Sequence, residues 1–208
     1  MVDRHAKVCF SQEGEDVILL RLLEHDPVGT YVDVGAHHPA RFSNTRLLYD
    51  RGWSGLNIDA LPGSMAAFRK ARRRDVSVEA GVGREPGIAS YWQFVEPALS
   101  TFDEAVAESR IADGHGLLQR VDLPVDTLSH LIAEHLPGRA VDLLTVDVEG
   151  RDLDVLESLD WERYRPRVVV VESELEICDF SSGPAALLTS QGYSLYAATG
   201  LSRVFVAH

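Results

Sequence analysis

The residues best suited to chemistry in this sequence lie at the ends of two short apolar runs. The first run, Tyr31–Val34, leads into Gly35, and the second ends at Asp59. A buried strand that stops at a glycine turn, followed by a strand that ends in an acid, is typical of sheets that bind a nucleoside. The glycine lets backbone approach the ligand, and the acid can accept hydrogen bonds from both ribose hydroxyls. We therefore expect an adenosine-containing ligand near Gly35 and Asp59.

Three more acids follow two later apolar runs. Asp147 and Glu149 come after the run 141–146, and Glu172 comes after the run 168–171. The carboxyl ends of parallel strands border the crevice in which α/β proteins bind their ligands. We therefore expect these acids to share one crevice.

Alternating helices and strands are predicted to position these residues. Helices are predicted over 12–24, from a Ser43 cap to about residue 52, from Pro62, from an Asp126 cap, over 151–164 and over 184–191. Strands are predicted over 30–34, 54–58, 76–82, 88–94, near 120, 141–146 and 168–171, with a terminal antiparallel hairpin formed by 193–197 and 203–206. The pattern indicates an α/β fold with a doubly wound, mostly parallel sheet.

Length and composition limit the functional classes. The 208 residues, 45% of them hydrophobic, are enough for a single domain over 1–208 with a helical segment at 1–28. A net charge of −12 argues against nucleic acid as a partner, and we interpret the basic cluster 69–74 as a solvated helix end. Cys9 and Cys178 suggest neither a disulfide framework nor structural zinc. The polar N-terminus predicts a soluble, cytoplasmic protein without a membrane partner.

Five stretches in a fixed order resemble the FkbM family of S-adenosylmethionine-dependent methyltransferases. They are Ser11–Asp16, Val32–Pro39, Ser43–Thr45, Gly52–Ala60 and Val146–Gly150. The resemblance implies a Rossmann-like class I methyltransferase fold, with a seven-stranded sheet that ends in the predicted hairpin. It also implies S-adenosylmethionine as cofactor and methyl transfer, usually to a hydroxyl of a small molecule, sugar or secondary metabolite. In place of the spaced glycines of the general methyltransferase loop, this chain has the stiffer and more polar sequence 36–39.

The resemblance also implies where the cofactor binds. Asp59 is expected to bind the ribose, and Asp33 to attract the ammonium group of the methionine portion. Small residues at the end of the third strand can admit an adenine edge, whereas Ser11 and Gln12 equally fit ordinary helix capping. The predicted cofactor-binding residues are Ser11, Gln12, Asp33, Gly35, Asp59, Ala60, Ala80 and Gly81.

Methyl transfer to a hydroxyl also needs a group that accepts the proton. We predict His38 as base or substrate orienter, because an imidazole titrates near neutral pH, with Glu149 as its competitor and Asp147 beside them. Alternatively, Asp147 and Glu172 hold Mg²⁺. Ser173 then stands where an acid or amide is expected as the third ligand.

The segment 95–119 is predicted to cover the substrate pocket, with Phe102 and Trp92 as apolar walls, although 104–111 equally fits a surface helix. Nitrogen or carbon acceptors and a homo-oligomer stay open. Two rival functions are a nicotinamide-dependent oxidoreductase, for which the chain lacks a G-x-G-x-x-G turn, and a non-catalytic nucleoside-binding module.

Overall fold

The computed structural model describes residues 7–172 and 181–208, so Ser173 and Cys178 lie outside the described ranges. The strands are β1 (Thr30–Val34), β2 (Ser54–Asp59), β3 (Val76–Glu79), β4 (Gly81–Val82), β5 (Gly87–Phe94), β6 (Leu117–Asp126), β7 (Leu143–Val146), β8 (Val168–Glu172), β9 (Tyr193–Ala198) and β10 (Ser202–Ala207). The helices are α1 (Glu15–Leu22), α2 (Arg46–Asp50), α3 (Met65–Ala71), α4 (Glu104–Ala112), α5 (Leu128–His135), α6 (Asp152–Glu157) and α7 (Gly183–Ser190), with a 3₁₀ turn at Pro97–Leu99.

The main sheet has seven strands in the order β3-β2-β1-β7-β8-β10-β9. Neighbouring strands from β3 to β8 run parallel, whereas β10 runs antiparallel to both β8 and β9. This arrangement confirms the predicted α/β class and the terminal hairpin. Reversal of strand order between β1 and β7 creates the crevice in which doubly wound sheets bind ligands.

A second, three-stranded sheet in the order β4-β6-β5 corrects the prediction of one strand over 76–82. That segment divides at Ala80, whose amide donates to the carbonyl of Asp59 (3.1 Å). Before this point β3 pairs with β2, and after it β4 pairs with β6. The segment therefore joins the two sheets beside the end of β2.

Apolar side chains cover both faces of the main sheet, as alternation along β1 shows. Val32 and Val34 belong to a core cluster that includes residues of α5 and α6, whereas Tyr31 belongs to one that includes residues of α1 and α2. Val168–Val171 are all buried, as an unbroken β-branched run predicts. Within the described ranges, none of the helices combines the length and hydrophobicity that crossing a membrane requires.

Several helix bounds differ from the prediction, since α1 occupies only Glu15–Leu22 of the predicted 12–24 and α3 begins at Met65, not at Pro62. Helix α2 begins after Thr45, not Ser43, because the Ser43 hydroxyl accepts a hydrogen bond from Arg72 (2.6 Å). Helix α5 begins after Thr127, whose side chain accepts from the amide of His130 (3.2 Å). Helix α6 ends at Glu157, well before residue 164, since the hydroxyl of Ser158 bonds back to the carbonyl of Val155 (2.7 Å).

The interpretation of 69–74 as a solvated helix end is wrong for Arg72, which is fully buried. Its guanidinium donates to the carbonyl of Pro39 through Nε (3.0 Å) and Nη2 (2.8 Å). It also donates to the hydroxyls of Ser43 and Thr45 (2.6 and 2.7 Å). Arg72 therefore fastens the loop after β1 to the rest of the fold.

Candidate active site

A cavity opens at the carboxyl ends of the parallel strands, where α/β proteins bind their ligands. The predicted site residues that line it are Gln12, Gly35, Asp59, Ala60, Ala80, Gly81, Asp147 and Glu149. The structure thus brings most of the predicted site together, whereas Ser11, Asp33, His38 and Glu172 do not line the cavity.

Gly35 is also required for a reason that the sequence did not reveal. Its φ of 79° lies in the left-handed region, and a Cβ atom there would stand 1.6 Å from the carbonyl oxygen of Asp147. The space that a side chain would need is therefore filled by the neighbouring loop. Glycine at this position brings the ends of β1 and β7 together.

Asp59 holds a fixed carboxylate at the end of β2. One oxygen accepts the amide of His37 and the other accepts the amide of Leu61, both at 2.8 Å. Burial raises the pKa of this carboxyl, while the two backbone donors lower it. Each carboxylate oxygen can accept further hydrogen bonds, so the group is available to a pair of ligand hydroxyls.

Three acids form a cluster at the ends of β7 and β8. Oxygens of Asp147, Glu149 and Glu172 all lie within 4.8 Å of one another. Burial raises the pKa of Asp147 well above its ordinary value, and the negative charge of Glu172 raises it further. Oδ1 of Asp147 is buried without a hydrogen-bond partner among the described residues. This carboxyl is therefore a stronger base, when ionised, than an ordinary aspartate.

The segment 95–119 contacts this cluster directly. Arg110 of α4 forms an ion pair with Glu149, whose φ of 59° is left-handed. The hydroxyl of Thr101 donates to the Glu149 carbonyl (2.7 Å). Phe102 lines the cavity as predicted. Trp92 does not; it is buried elsewhere, beneath the guanidinium of Arg120.

The two consecutive histidines have different environments. His38 is exposed, and its Nδ1 accepts the amides of Ala40 (3.1 Å) and Arg41 (2.9 Å), so it stabilises a turn. This placement corrects the prediction of His38 as base. His37 lines the cavity instead, and its Nε2 is buried without a partner among the described residues.

Ser11 and Asp33 are both engaged away from the cavity. The Ser11 hydroxyl donates to Asp16 (2.9 Å) and accepts the amide of Gly14 (3.2 Å). These bonds agree with the alternative interpretation, in which Ser11 takes part in helix capping. Asp33 accepts the hydroxyl of Thr45 (2.7 Å), and burial raises its pKa to about 6. Asp33 therefore belongs with the buried Arg72 network behind the loop.

Sequence reasoning missed three aromatic or imidazole side chains of the cavity lining. His37 and Phe42 stack with a centroid separation of 6.1 Å, and Tyr91 lies 4.7 Å from the ring of Phe102. Phe42 stands between two stretches of the family resemblance, which was an available signal. Tyr91 carried no comparable signal, because strand alternation does not reveal which sheet face borders a cavity.

Comparison with known proteins gives a family. A family model described as the methyltransferase FkbM domain matches residues 33–195. No curated protein is significantly similar to the chain. Among solved structures, a TehB-like SAM-dependent methyltransferase from Corynebacterium glutamicum is 14% identical, with a TM-score of 0.47 over 94% of this chain and 88% of that one.

Proposed function

The chain belongs to the FkbM methyltransferase family, whose cofactor is S-adenosylmethionine, and from this premise we propose that it methylates a hydroxyl oxygen of a small molecule, sugar or secondary metabolite. The observation that carries the proposal is the presence of Asp59 and the half-buried Asp147 in the lining of one cavity. The first is a nucleoside-binding acid, and the second is a carboxyl able to accept a proton. Oxygen as the acceptor atom follows from the family resemblance.

The cavity lining fits the cofactor. When bound, S-adenosylmethionine supplies an electrophilic methyl group on a positively charged sulfur. Asp59 would hold the ribose, while the small side chains of Ala60 and Ala80, with Gly81, leave room for a flat base. Gln12 is available to the amino-acid portion. The acidic lining also favours a positively charged ligand.

Asp147 is the best-placed base. As the acceptor oxygen forms its bond to the methyl carbon, the carbon–sulfur bond would break, the sulfur would leave as a neutral thioether, and the acceptor proton would pass to Oδ1 of the Asp147 carboxylate. The raised pKa makes the ionised carboxylate a stronger base, and general-base catalysis contributes typically about 10²–10⁴-fold. Glu149 is less suited, since the Arg110 guanidinium already compensates its charge.

The acceptor would bind beneath the segment 95–119, whose Pro97, Ala98, Ser100 and Phe102 line the cavity. We propose one domain over 1–208, with a small-molecule partner and neither nucleic acid nor a membrane. The cytoplasm is the proposed compartment. The net charge of −12 supports the exclusion of nucleic acid, and self-association stays a prediction.

A magnesium-assisted reaction is the second candidate, because Glu149 supplies the third acid that the sequence lacked at Ser173. The oxygens of Asp147, Glu149 and Glu172 lie close enough to share one ion, and carboxylates are ligands that Mg²⁺ prefers. The ion would orient the acceptor hydroxyl and lower its pKa. Glu172→Gln separates the candidates: it should abolish any Mg²⁺ stimulation of methyl transfer, whereas activity that is insensitive to EDTA refutes this alternative.

Calorimetric titration tests the proposed function. S-adenosylmethionine and S-adenosylhomocysteine should bind the wild type with Kd values on the order of micromolar, and NAD should not bind. Asp59→Asn should weaken both by about tenfold or more, because it removes charge-assisted hydrogen bonds worth ~1.5–3 kcal/mol. Asp50→Asn, a change to an exposed acid that pairs with Arg46, is the matched control. Failure of both compounds to bind, or tighter binding of NAD, contradicts the proposal.

A screen of hydroxyl, amine and carbon acceptors with a radiolabelled methyl group then tests oxygen specificity. Asp147→Asn should lower the methylation rate by about 10²-fold or more without changing the cofactor Kd. A rate that stays within a few-fold of the wild type would remove Asp147 as the base. Binding without transfer to any acceptor would favour the non-catalytic nucleoside-binding module.

A further inference from the structure

Two side chains of the described cavity lining have a buried polar atom without a partner among the described residues, Oδ1 of Asp147 and Nε2 of His37. An unpaired buried nitrogen costs about 1–3 kcal/mol, so a ligand that supplies the missing hydrogen bond gains affinity. We propose that His37 is a cofactor-binding residue and that its Nε2 forms a hydrogen bond with a ribose hydroxyl of the nucleoside. The inference rests on the proposed function and deepens it.

The position of His37 beside Asp59 points to the ribose. The His37 amide donates to Oδ2 of Asp59 at 2.8 Å, so backbone and ring both belong to the edge of the cavity where the ribose acid lies. A hydroxyl both donates and accepts hydrogen bonds, so either neutral tautomer of the imidazole can pair with it. Burial lowers the pKa of His37, which favours the neutral ring.

The surroundings hold the ring in place before any ligand binds. His37 has a left-handed φ of 51°, and its ring stacks on Phe42 with an interplanar angle of 21°. Two residues further on, the carbonyl of Pro39 accepts two hydrogen bonds from the buried Arg72. A loop fixed at both points presents Nε2 in one orientation, which lowers the entropic cost of binding.

The neighbouring His38 provides a matched comparison. It shares the loop, but its ring is exposed and its Nδ1 accepts the amides of Ala40 and Arg41. Asparagine can form the same local turn bonds, so His38→Asn should preserve the loop. An effect confined to His37 would therefore report the cavity nitrogen and not a general disturbance of the loop.

The experiment measures Kd values by calorimetry for adenosine and for S-adenosylhomocysteine. Two variants remove Nε2: His37→Asn keeps a residue that tolerates a left-handed φ, and His37→Phe keeps a ring that stacks on Phe42. Each should bind both compounds about 5- to 30-fold more weakly than the wild type, whereas His38→Asn should stay within about twofold. Circular dichroism and urea unfolding establish that each variant is folded, and two chemically different substitutions keep the test valid if one fails to fold.

The outcomes separate this inference from the proposed function. Equal losses for adenosine and S-adenosylhomocysteine place the contact on the nucleoside. If the difference between wild type and variants disappears with 2′,3′-dideoxyadenosine, the ribose contact is supported; a difference that persists overturns it in favour of the base. Loss for S-adenosylhomocysteine alone overturns it in favour of the amino-acid portion, and unchanged Kd values in both variants overturn it outright. If the wild type binds neither compound, the proposed function fails first and this inference with it. In histidine-labelled protein, a shift of the His37 Nε2 resonance on addition of adenosine gives an independent readout.

Discussion

Arg72→Met is expected to destabilise the protein by about 3–5 kcal/mol at pH 7, the usual cost of removing one partner from a buried charged network. The side chain is 0% exposed. It donates to Pro39, Ser43 and Thr45, and Thr45 in turn donates to Asp33. Methionine matches the apolar length of arginine but supplies none of these hydrogen bonds.

The magnitude follows from the groups that lose their partner. Hydrogen bonds to a charged group contribute about 1.5–3 kcal/mol each, but those of one side chain do not add independently. The change also leaves the buried Asp75, 3.9 Å from the guanidinium, without its nearby cation. Because domains are stable by only about 5–15 kcal/mol, this loss is a large part of the total.

Urea unfolding followed by circular dichroism measures the effect. Arg72→Lys keeps the positive charge but cannot reproduce the planar fork that donates twice to Pro39, so its stability should be intermediate. Arg73→Met, on the adjacent exposed residue, should change stability by no more than about 0.5 kcal/mol. Equal stability of Arg72→Met and Arg73→Met would refute the reasoning, since the buried network would then contribute nothing.

Three further predictions concern buried groups near the cavity. Burial raises the pKa of Asp152 to about 8, so near neutral pH the folded state keeps a proton that the unfolded chain releases. The free energy of unfolding therefore falls as pH rises from about 4 to 8. Asp152→Asn should therefore gain stability relative to the wild type between pH 5 and pH 8 in urea unfolding; a constant difference contradicts this sign. Gly35→Ala should prevent folding or lower the free energy of unfolding by more than about 3 kcal/mol. The control Gly63→Ala has a similar φ of 86° but no atom within 4 Å of the new Cβ, so it should lower that free energy by only about 1 kcal/mol. Arg110→Met should speed amide hydrogen exchange across α4, because it removes the ion pair with Glu149; unchanged exchange would show that this pair does not hold the helix.

Local patterns were sufficient to predict the order of elements. Apolar runs, turn glycines and the β-branched run at 168–171 depend on interactions between residues close in sequence, so most strands were predicted at nearly the right places, whereas helix α6 ends well before the predicted residue 164. These patterns did not predict the division of 76–82 between two sheets, because that division depends on pairing with β2 and β6, which lie elsewhere in the chain. The same holds for the burial of Arg72, whose partners lie 27 to 33 positions away.

The candidate site also combines features that the sequence determined with features that only the tertiary structure decided. By itself, the sequence determined that Gly35, Asp59 and Asp147 end parallel strands, and the topology of such sheets brings those ends to one crevice. Only the tertiary structure decided that His37 and not His38 enters the cavity, since a left-handed φ and the contact with Asp59 set the direction of the loop. It also decided that Glu149 forms an ion pair with Arg110, which lies 39 positions away in the sequence. Side-chain direction in a loop depends on packing against distant segments, which local sequence patterns do not encode.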